Sequence, residues 1–354
     1  QYMRNGSGYY RYNITDDMYV GGVLDPAALF NSTPEIFCLT YGYDGESKPA
    51  ARVQFNRPGI YAQDEWNVTD KFKLTYGLRV DGLFFNNSDL MTNNAILALD
   101  YDGRNIDTGK WPKNSITFSP RLGFTYDVFG DKSLKVRGGT GLFSGRLPLV
   151  FFTNMPTNGG LVQYQAQINA SNAKKKGFTM DEFAGGPMTK VDDMIAKLQS
   201  LGYPTTVSPD DGTVPSAVNG VDRDFKMPQV WKTSLAVDYQ LPVNFPFTVS
   251  AEGIFNKTIN GVSISDWSIP SVGGFSRFNG VDNRPLYPAG YRTNTKAFVL
   301  ENTSRGYGWS ASLELKAQPA DWISLMAAYT HTVSKEVTGM PGSAAESAFT
   351  YVPT

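Results

Sequence analysis

Between Phe72 and Asp81 the chain alternates without a break. Phe72, Leu74, Tyr76, Leu78 and Val80 fall on one side, and Lys73, Thr75, Gly77, Arg79 and Asp81 on the other. Successive side chains of a strand point to opposite faces, so this arm has one apolar wall and one charged wall. With residues 59–66 before it and the link 67–71 between, it predicts a hairpin. The pattern returns three times. Leu122, Phe124, Tyr126 and Val128 alternate with Arg121, Gly123, Thr125 and Asp127, turn at 129–133, and return through 134–143 with Lys135 and Arg137 on the polar side. Trp231 to Leu241 alternates in the same way, turns at 242–246 and returns through 247–256. Tyr307 to Ala317 alternates, turns at 319–321 and returns through Ile323, Leu325, Ala327, Tyr329 and His331.

Four hairpins are therefore expected near 52–81, 121–143, 230–256 and 306–333. Within each the link is short; between them, near 82–115, 144–228 and 258–304, it exceeds ordinary connection lengths. A soluble sandwich has no reason to sort its loops by end. A membrane barrel does: its turns are short on one side and its loops long on the other. Trp66, Phe72, Phe129, Tyr239, Phe245, Phe247 and Trp322 all lie beside the short turns, where an interfacial aromatic girdle belongs. The longest connection holds one amphipathic segment, with Thr189 as its expected cap, Val191, Met194, Ile195, Leu198 and Leu201 as its stripe, and Gly202 and Pro204 as its stop. Further strands are expected near 9–12 and 95–101.

Composition narrows the class. Lys+Arg 32 against Asp+Glu 33 leaves no basic excess, so nucleic acid is not an expected partner. Aromatics reach 13% while charged residues stop at 18%, which suits β-structure with apolar surface better than a helical enzyme. One cysteine, Cys38, excludes an internal disulfide framework, and it reads as a packed thiol. No apolar run is long enough for a membrane helix. The chain opens on Gln1 without a signal peptide, as a mature or excised piece would.

Residues 61–66 with 74–81 (YAQDEW with LTYGLRVD) resemble a paired-strand motif of TonB-dependent outer-membrane receptors. Residues 119–126 with 137–143 (SPRLGFTY with RGGTGLF) resemble the next hairpin of that family, and the Oar-like branch of the Gram-negative Bacteroidota and myxobacteria is the most similar. The resemblance covers roughly residues 52–333. It implies an all-β, antiparallel, up-and-down transmembrane barrel of about 22 strands closed by a plug, with long extracellular loops, one carrying a short helix. It also implies uptake of a bulky solute (glycan, peptide or metal chelate) across the bacterial outer membrane, no enzyme activity and no cofactor. The implied partners are the receptor's own plug and through it TonB, outer-membrane lipids, and a surface lipoprotein. Neither a plug segment before Arg52 nor an aromatic-ended last strand is recognisable, so the chain reads as an internal barrel fragment.

The polar phase of the strands supplies the candidate surface: Arg79, Asp81, Arg121, Asp127, Arg137, Glu252, Glu314 and Lys316. These either line a water-filled lumen and grip a plug, or are ordinary wet-wall residues in weak cross-strand pairs. Asp100, Asp102, Asn105 and Asp107 place oxygens around Gly103 in a loose likeness of a calcium loop, without its bidentate Glu; the plain alternative is an Asp-Gly turn. His331 is the single histidine, so no two-histidine metal site and no Ser/His or Cys/His pairing repeated elsewhere is available. Gly138, Gly139 and Gly141 suit a bending strand rather than a phosphate loop, and the pairs Asp192–Asp193 and Asp210–Asp211 suit solvated turns rather than acid–base work. The loop aromatics Phe151, Phe152, Tyr164, Phe275, Phe278, Tyr287 and Tyr291 serve either ligand stacking or loop packing. The rival to the barrel is a secreted soluble β-sandwich or propeller that binds or cleaves carbohydrate, which needs apolar faces buried against each other.

Overall fold

The structure is a computed structural model and describes residues 5–43, 50–270, 275–278, 280–281, 283–337 and 342–350. Its strands, in chain order, are β1 (Tyr9–Arg11), β2 (Tyr19–Val20), β3 (Val23–Leu24), β4 (Ile36–Gly42), β5 (Gln54–Asn56), β6 (Gly59–Asn67), β7 (Phe72–Asn86), β8 (Ser115–Asp127), β9 (Leu134–Ser144), β10 (Gln163–Ile168), β11 (Ala217–Val221), β12 (Gln229–Gln240), β13 (Phe247–Asp266), β14 (Lys296–Thr303), β15 (Tyr307–Ala320) and β16 (Ile323–Lys335). The helices are α1 (Pro26–Asn31), α2 (Asn94–Leu97), α3 (Val150–Thr157), α4 (Ala170–Lys175), α5 (Val191–Ser200) and α6 (Ala345–Thr350). No helix among the described residues is long and apolar enough to cross a membrane, which says nothing of a crossing by strands.

Eight strands, β6, β7, β8, β9, β12, β13, β15 and β16, form one antiparallel meander in which each pairs with the next. Its short turns lie at one end. The turn between β8 and β9 is closed by Asp127, whose carboxylate accepts from the backbone N–H of Gly130 and Lys132. That between β15 and β16 is tighter than expected, because β15 runs on to Ala320 through an irregularity after Ala317. At the other end β7 and β13 extend to Asn86 and Asp266, well past the ends expected at 81 and 256. Crossing a bilayer takes about 9–11 strand residues, so 15- and 20-residue strands must project beyond it. The projecting part of β13 pairs with β14, and β14 pairs in parallel with β11.

The long connections fold into a cap with cores of its own. In one, Trp111, Phe152, Met155 and Phe225 are almost wholly buried, with ring centres 6.1 Å apart for Trp111–Phe152 and 5.5 Å for Phe152–Phe225. In a second, the sheet β1–β4–β10 lays Phe37, Leu39, Tyr41, Ala166 and Ile168 against α4 and α5. The stripe of α5 meets that sheet through Met194, Ile195 and Leu198. Thr189 is not its cap: Lys190 stands there in extended backbone without a side-chain bond, and Asp192 and Asp193 favour the N-terminus by charge instead. Gly202, at φ +75°, ends the helix, with its N–H on the Gln199 carbonyl and that of Tyr203 on Leu198. The strand expected at 95–101 is instead the single turn α2, because Asn93 caps it by accepting from the N–H of Ala95 and Ile96.

A buried ion pair ties the outer ends of β13 and β14 together. The Asp266 side chain has no exposed surface and binds Arg292, Ser268 (2.7 Å from Oγ) and the N–H of Ala297 (3.0 Å). Burial pushes this carboxyl up, but Arg292, Ser268 and the two backbone N–H groups of Ala297 and Ser268 outweigh it and hold it below the ordinary range. Nearby, burial and then the Asp266 charge push the Tyr101 phenol up to about 12.

Both the second core and the ion pair can be tested by substitution. Leu198→Ala opens a cavity in the second core and should cost about 2–5 kcal/mol. Hydrogen exchange should then accelerate in 163–203 while the meander strands stay protected; uniform acceleration would show that the cap has no separate core. For Asp266, the folded value lies below the unfolded value of about 3.9, so its contribution is complete above that pH and is lost as pH falls through the folded value. Asp266→Asn should lower stability at pH 6 by about 1.5–3 kcal/mol, and its melting temperature should fall less than the wild type's between pH 6 and pH 3. Parallel melting curves would contradict this assignment.

Candidate functional site

The register places all eight candidate residues on one face of the meander. Across β8, β9, β12 and β13, Thr125 faces Arg137, Arg137 faces Ala236, and Ala236 faces Glu252; across β13 and β15, Thr248 faces Lys316 and Ser250 faces Glu314. Arg79 and Arg121 share this phase through Ser119 and Gly77, as do Asp81 through Thr117 and Asp127 through Lys135. Along the strands the eight divide. Asp127, Arg137, Glu252, Glu314 and Lys316 are in the half nearer the short turns, Arg121 is midway, and Arg79 and Asp81 are at the cap end.

Their partners differ too. Arg137 bridges Asp238 at 3.0 Å and Glu252 at 3.6 Å, joining three strands. Lys316 pairs with Glu314 at 2.6 Å along its own strand. Asp81, 4% exposed, takes Arg79 at 2.7 Å with Arg57 3.9 Å away. Asp127 is spent on its turn. Arg121 has no carboxylate partner among the described residues and lies 4.9 Å over the Phe143 ring. Between these charges runs a belt of small groups in register, Thr75, Gly123, Gly139 and Ser234. It floors a hollow of about 380 Å³ rimmed by Gln63, Arg121, Phe143 and Lys232. With no side chain at Gly123 and Gly139, a second chain can approach the backbone of the wall.

The opposite face is apolar and bare. Leu78, Leu122, Leu235, Leu313 and Tyr329 are 44–69% exposed, so no second sheet covers them. A soluble sandwich needs that face buried, and none of the described residues buries it. Aromatics beside the short turns are exposed as well, Trp66 at 54% and Trp322 at 84%. A second aromatic row, not anticipated from the sequence, crosses the same face near the cap through Phe118, Trp231, Phe255, Trp309 and Tyr307. Trp231 and Tyr239 mark the two rows on β12. They stand eight residues apart, about 27 Å of untilted strand, against an apolar band about 25 Å tall in barrels. His331 lies in this face opposite Ala311, its ring 5.2 Å from Trp309.

The calcium candidates do not converge. Tyr101 and Arg104 close a two-residue turn in which Asp102 and Gly103 both have positive φ, 55° and 76°. That is the Asp-Gly turn, and it dictates where the oxygens go. Asp100 accepts from the Gly103 N–H, Asn105 donates to the carbonyls of Leu97 and Leu99, and Asp107 is held by Thr92, Gly109 and Lys110. Among the described residues no three acidic, histidine or cysteine side chains are grouped to hold a metal. Cys38 is buried on β4, where burial pushes its thiol up, against hydrogen bonds from Asn5, Tyr9 and Gln165. Most loop aromatics are spent on packing: Phe152 in the first core, Tyr164 on Tyr41 and Tyr203, and Tyr287 between Phe275 and Tyr291.

Among solved structures, the outer membrane transporter YddB from Escherichia coli is similar over 87% of this chain and 27% of its own, with 12% identity and a TM-score of 0.43. The siderophore receptor PirA from Pseudomonas aeruginosa is similar over 85% of this chain and 39% of its own, with 10% identity and a TM-score of 0.38. For the FrpB iron transporter from Neisseria meningitidis (F3-3 variant) the figures are 81%, 27%, 12% and 0.37. The chain thus spans between 27% and 39% of the length of these structures. No curated protein sequence matches it. Residues 33–352 match the profile of the family described as "Outer membrane beta barrel domain", so the chain belongs to that family and its place is the bacterial outer membrane.

Proposed function

We propose that this chain is wall and cap of a TonB-dependent receptor of the Oar-like branch, importing a bulky solute without catalysis. The observation that carries the reading is the two-faced meander: a bare apolar face between two aromatic rows, and behind it a polar face with an ion-paired, small-residue hollow. An outer-membrane barrel turns the first to lipid and the second to its lumen. The edge strands support a wall larger than eight strands. Every residue of β6 is exposed, and on β16 Met326 and Tyr329, on opposite faces, are 68% and 69% exposed. Among the described residues neither strand pairs on its outer edge, and a barrel tolerates no such edge in lipid.

In this reading Arg137, Glu252, Glu314 and Lys316 contact the plug near the short turns, while the Arg79–Asp81 pair stiffens the wall where β7 leaves the membrane. The plug couples to TonB, and a surface lipoprotein caps the long-loop side. The test is fractionation of the full-length protein. It should partition into detergent with the outer membrane and migrate faster unheated than boiled, as a detergent-resistant barrel does. Recovery from the soluble fraction as a monodisperse monomer would overturn the reading.

A further inference from the structure

The cap holds an open chamber of about 900 Å³ that the wall charges do not line. Such a volume stands at the upper end of small-ligand pockets, which run to about 1,000 Å³. One side is the sheet β1–β4–β10, whose apolar face packs on the helices and whose other face carries Thr40, Gln163, Gln165 and Gln167 in cross-strand register. The other side is the end of α3, with Asn154, Thr157 and Asn158, and strand β11, with Asn219. Glu346 is the one ionisable side chain on the described lining, and Lys296 lies 3.8 Å from it.

Thr40, Thr157 and Asn219 line this space, and each keeps a buried polar atom without a hydrogen-bond partner among the described residues: Oγ1, Oγ1 and Oδ1 respectively. Thr40 is only 2% exposed. Buried polar groups are nearly always paired in native proteins, so three orphans around one chamber point to something that binds there. The side-chain amides of Gln163 and Gln167 likewise bond to no described residue. Among the described residues no arginine or lysine lines the chamber, which disfavours an anionic phosphate or metal chelate. The one aromatic among the described lining residues, Phe298, is itself buried at 3% and offers no open ring for a sugar face.

We propose that the chamber binds an uncharged, extended stretch of peptide. Gln163, Gln165 and Gln167 alternate along β10, so their amides recur every two residues, about 6.7 Å. An extended peptide presents its own N–H and C=O groups on one side at that same repeat. Each primary amide offers both a donor and an acceptor, so a glutamine can satisfy both groups of a peptide unit. Thr40 then finds its partner beside Gln165 on the same side of the ligand, and Thr157 and Asn219 find theirs from the other side. The inference deepens the uptake reading; binding itself stands apart from it, and only passage of the bound peptide through the wall rests on it.

The test uses the full chain in detergent with an acetylated and amidated hexapeptide of alternating alanine and serine, followed by calorimetric titration. The peptide should bind, and Gln165→Leu with Gln167→Leu should weaken it at least tenfold. Thr40→Val should also weaken binding, while its melting temperature stays equal or rises, because the orphan hydroxyl is gone; this separates loss of a ligand contact from misfolding. The same peptide with two serines changed to aspartate should bind at least tenfold more weakly. Binding of maltohexaose but not the peptide would overturn the proposal in favour of a sugar. Absence of binding by either, or equal binding by the double variant, would also overturn it. A protein that fractionates with the outer membrane yet ignores the peptide defeats this proposal alone; a soluble protein that binds it defeats the uptake reading alone.

Discussion

The period-two register of one antiparallel meander is the constraint that governs both faces of the wall and the placement of the cap above it. In lipid every backbone N–H and C=O must be paired within the protein, and a sheet does this by bonding each strand to its neighbours. Once the ladder is set, each side chain's face is set too, because a one-residue slip would send the whole apolar row to the other side. Leu74, Leu122, Leu235 and Leu313 therefore share a surface with one another and never with Arg121 or Arg137. Cross-strand bridges such as Asp238–Arg137–Glu252 add little energy singly at such exposure. They do penalise a shifted register, in which like charges would meet.

The cap obeys different physics. Beyond the aromatic row at Trp231 and Trp309 the register of β13 with β12 shifts at Gln229/Val230, and past the shift Val262 and Ile264 pack into a protein core. The same strand thus changes partner along its length, from lipid-facing wall to water-soluble sheet. The change is marked by Lys257, which stands on the apolar phase and turns its ammonium to the carbonyls of Ser304 and Gly306. Above it the Asp266–Arg292 pair fixes β14 beside β13, and β14 in turn carries β11 into place as a chamber wall.

The wall was largely legible in the sequence because its signal is local: alternation over ten residues names both faces of a strand, and a short turn names its partner. The eight polar-phase residues were found in this way. The cap was not legible, because its order is non-local. Residues 36–42 are buried at every position and carry no alternation, so β4 reads as an apolar run rather than a strand. Its partner β10 lies far along the chain, and the glutamines of β10 acquire meaning only once Thr40 is known to stand beside Gln165. Asn93 turned an expected strand into a helical turn by supplying one side-chain oxygen, a contact that strand propensity does not weigh. The second aromatic row escaped notice because its members are spread over four strands and align only in register.

That same contrast has a kinetic side. In the wall, strands that succeed one another within a hairpin pair directly, so little chain entropy is lost before a contact forms. In the cap, Phe37 must find Ile168 across four wall strands, and Tyr41 must donate its hydroxyl proton to the carbonyl of Pro204. Pairing over long sequence separation is slow, so each hairpin is expected to zip before the sheet β1–β4–β10 closes. The amide-lined chamber is then expected to take its shape only after the hairpins have formed.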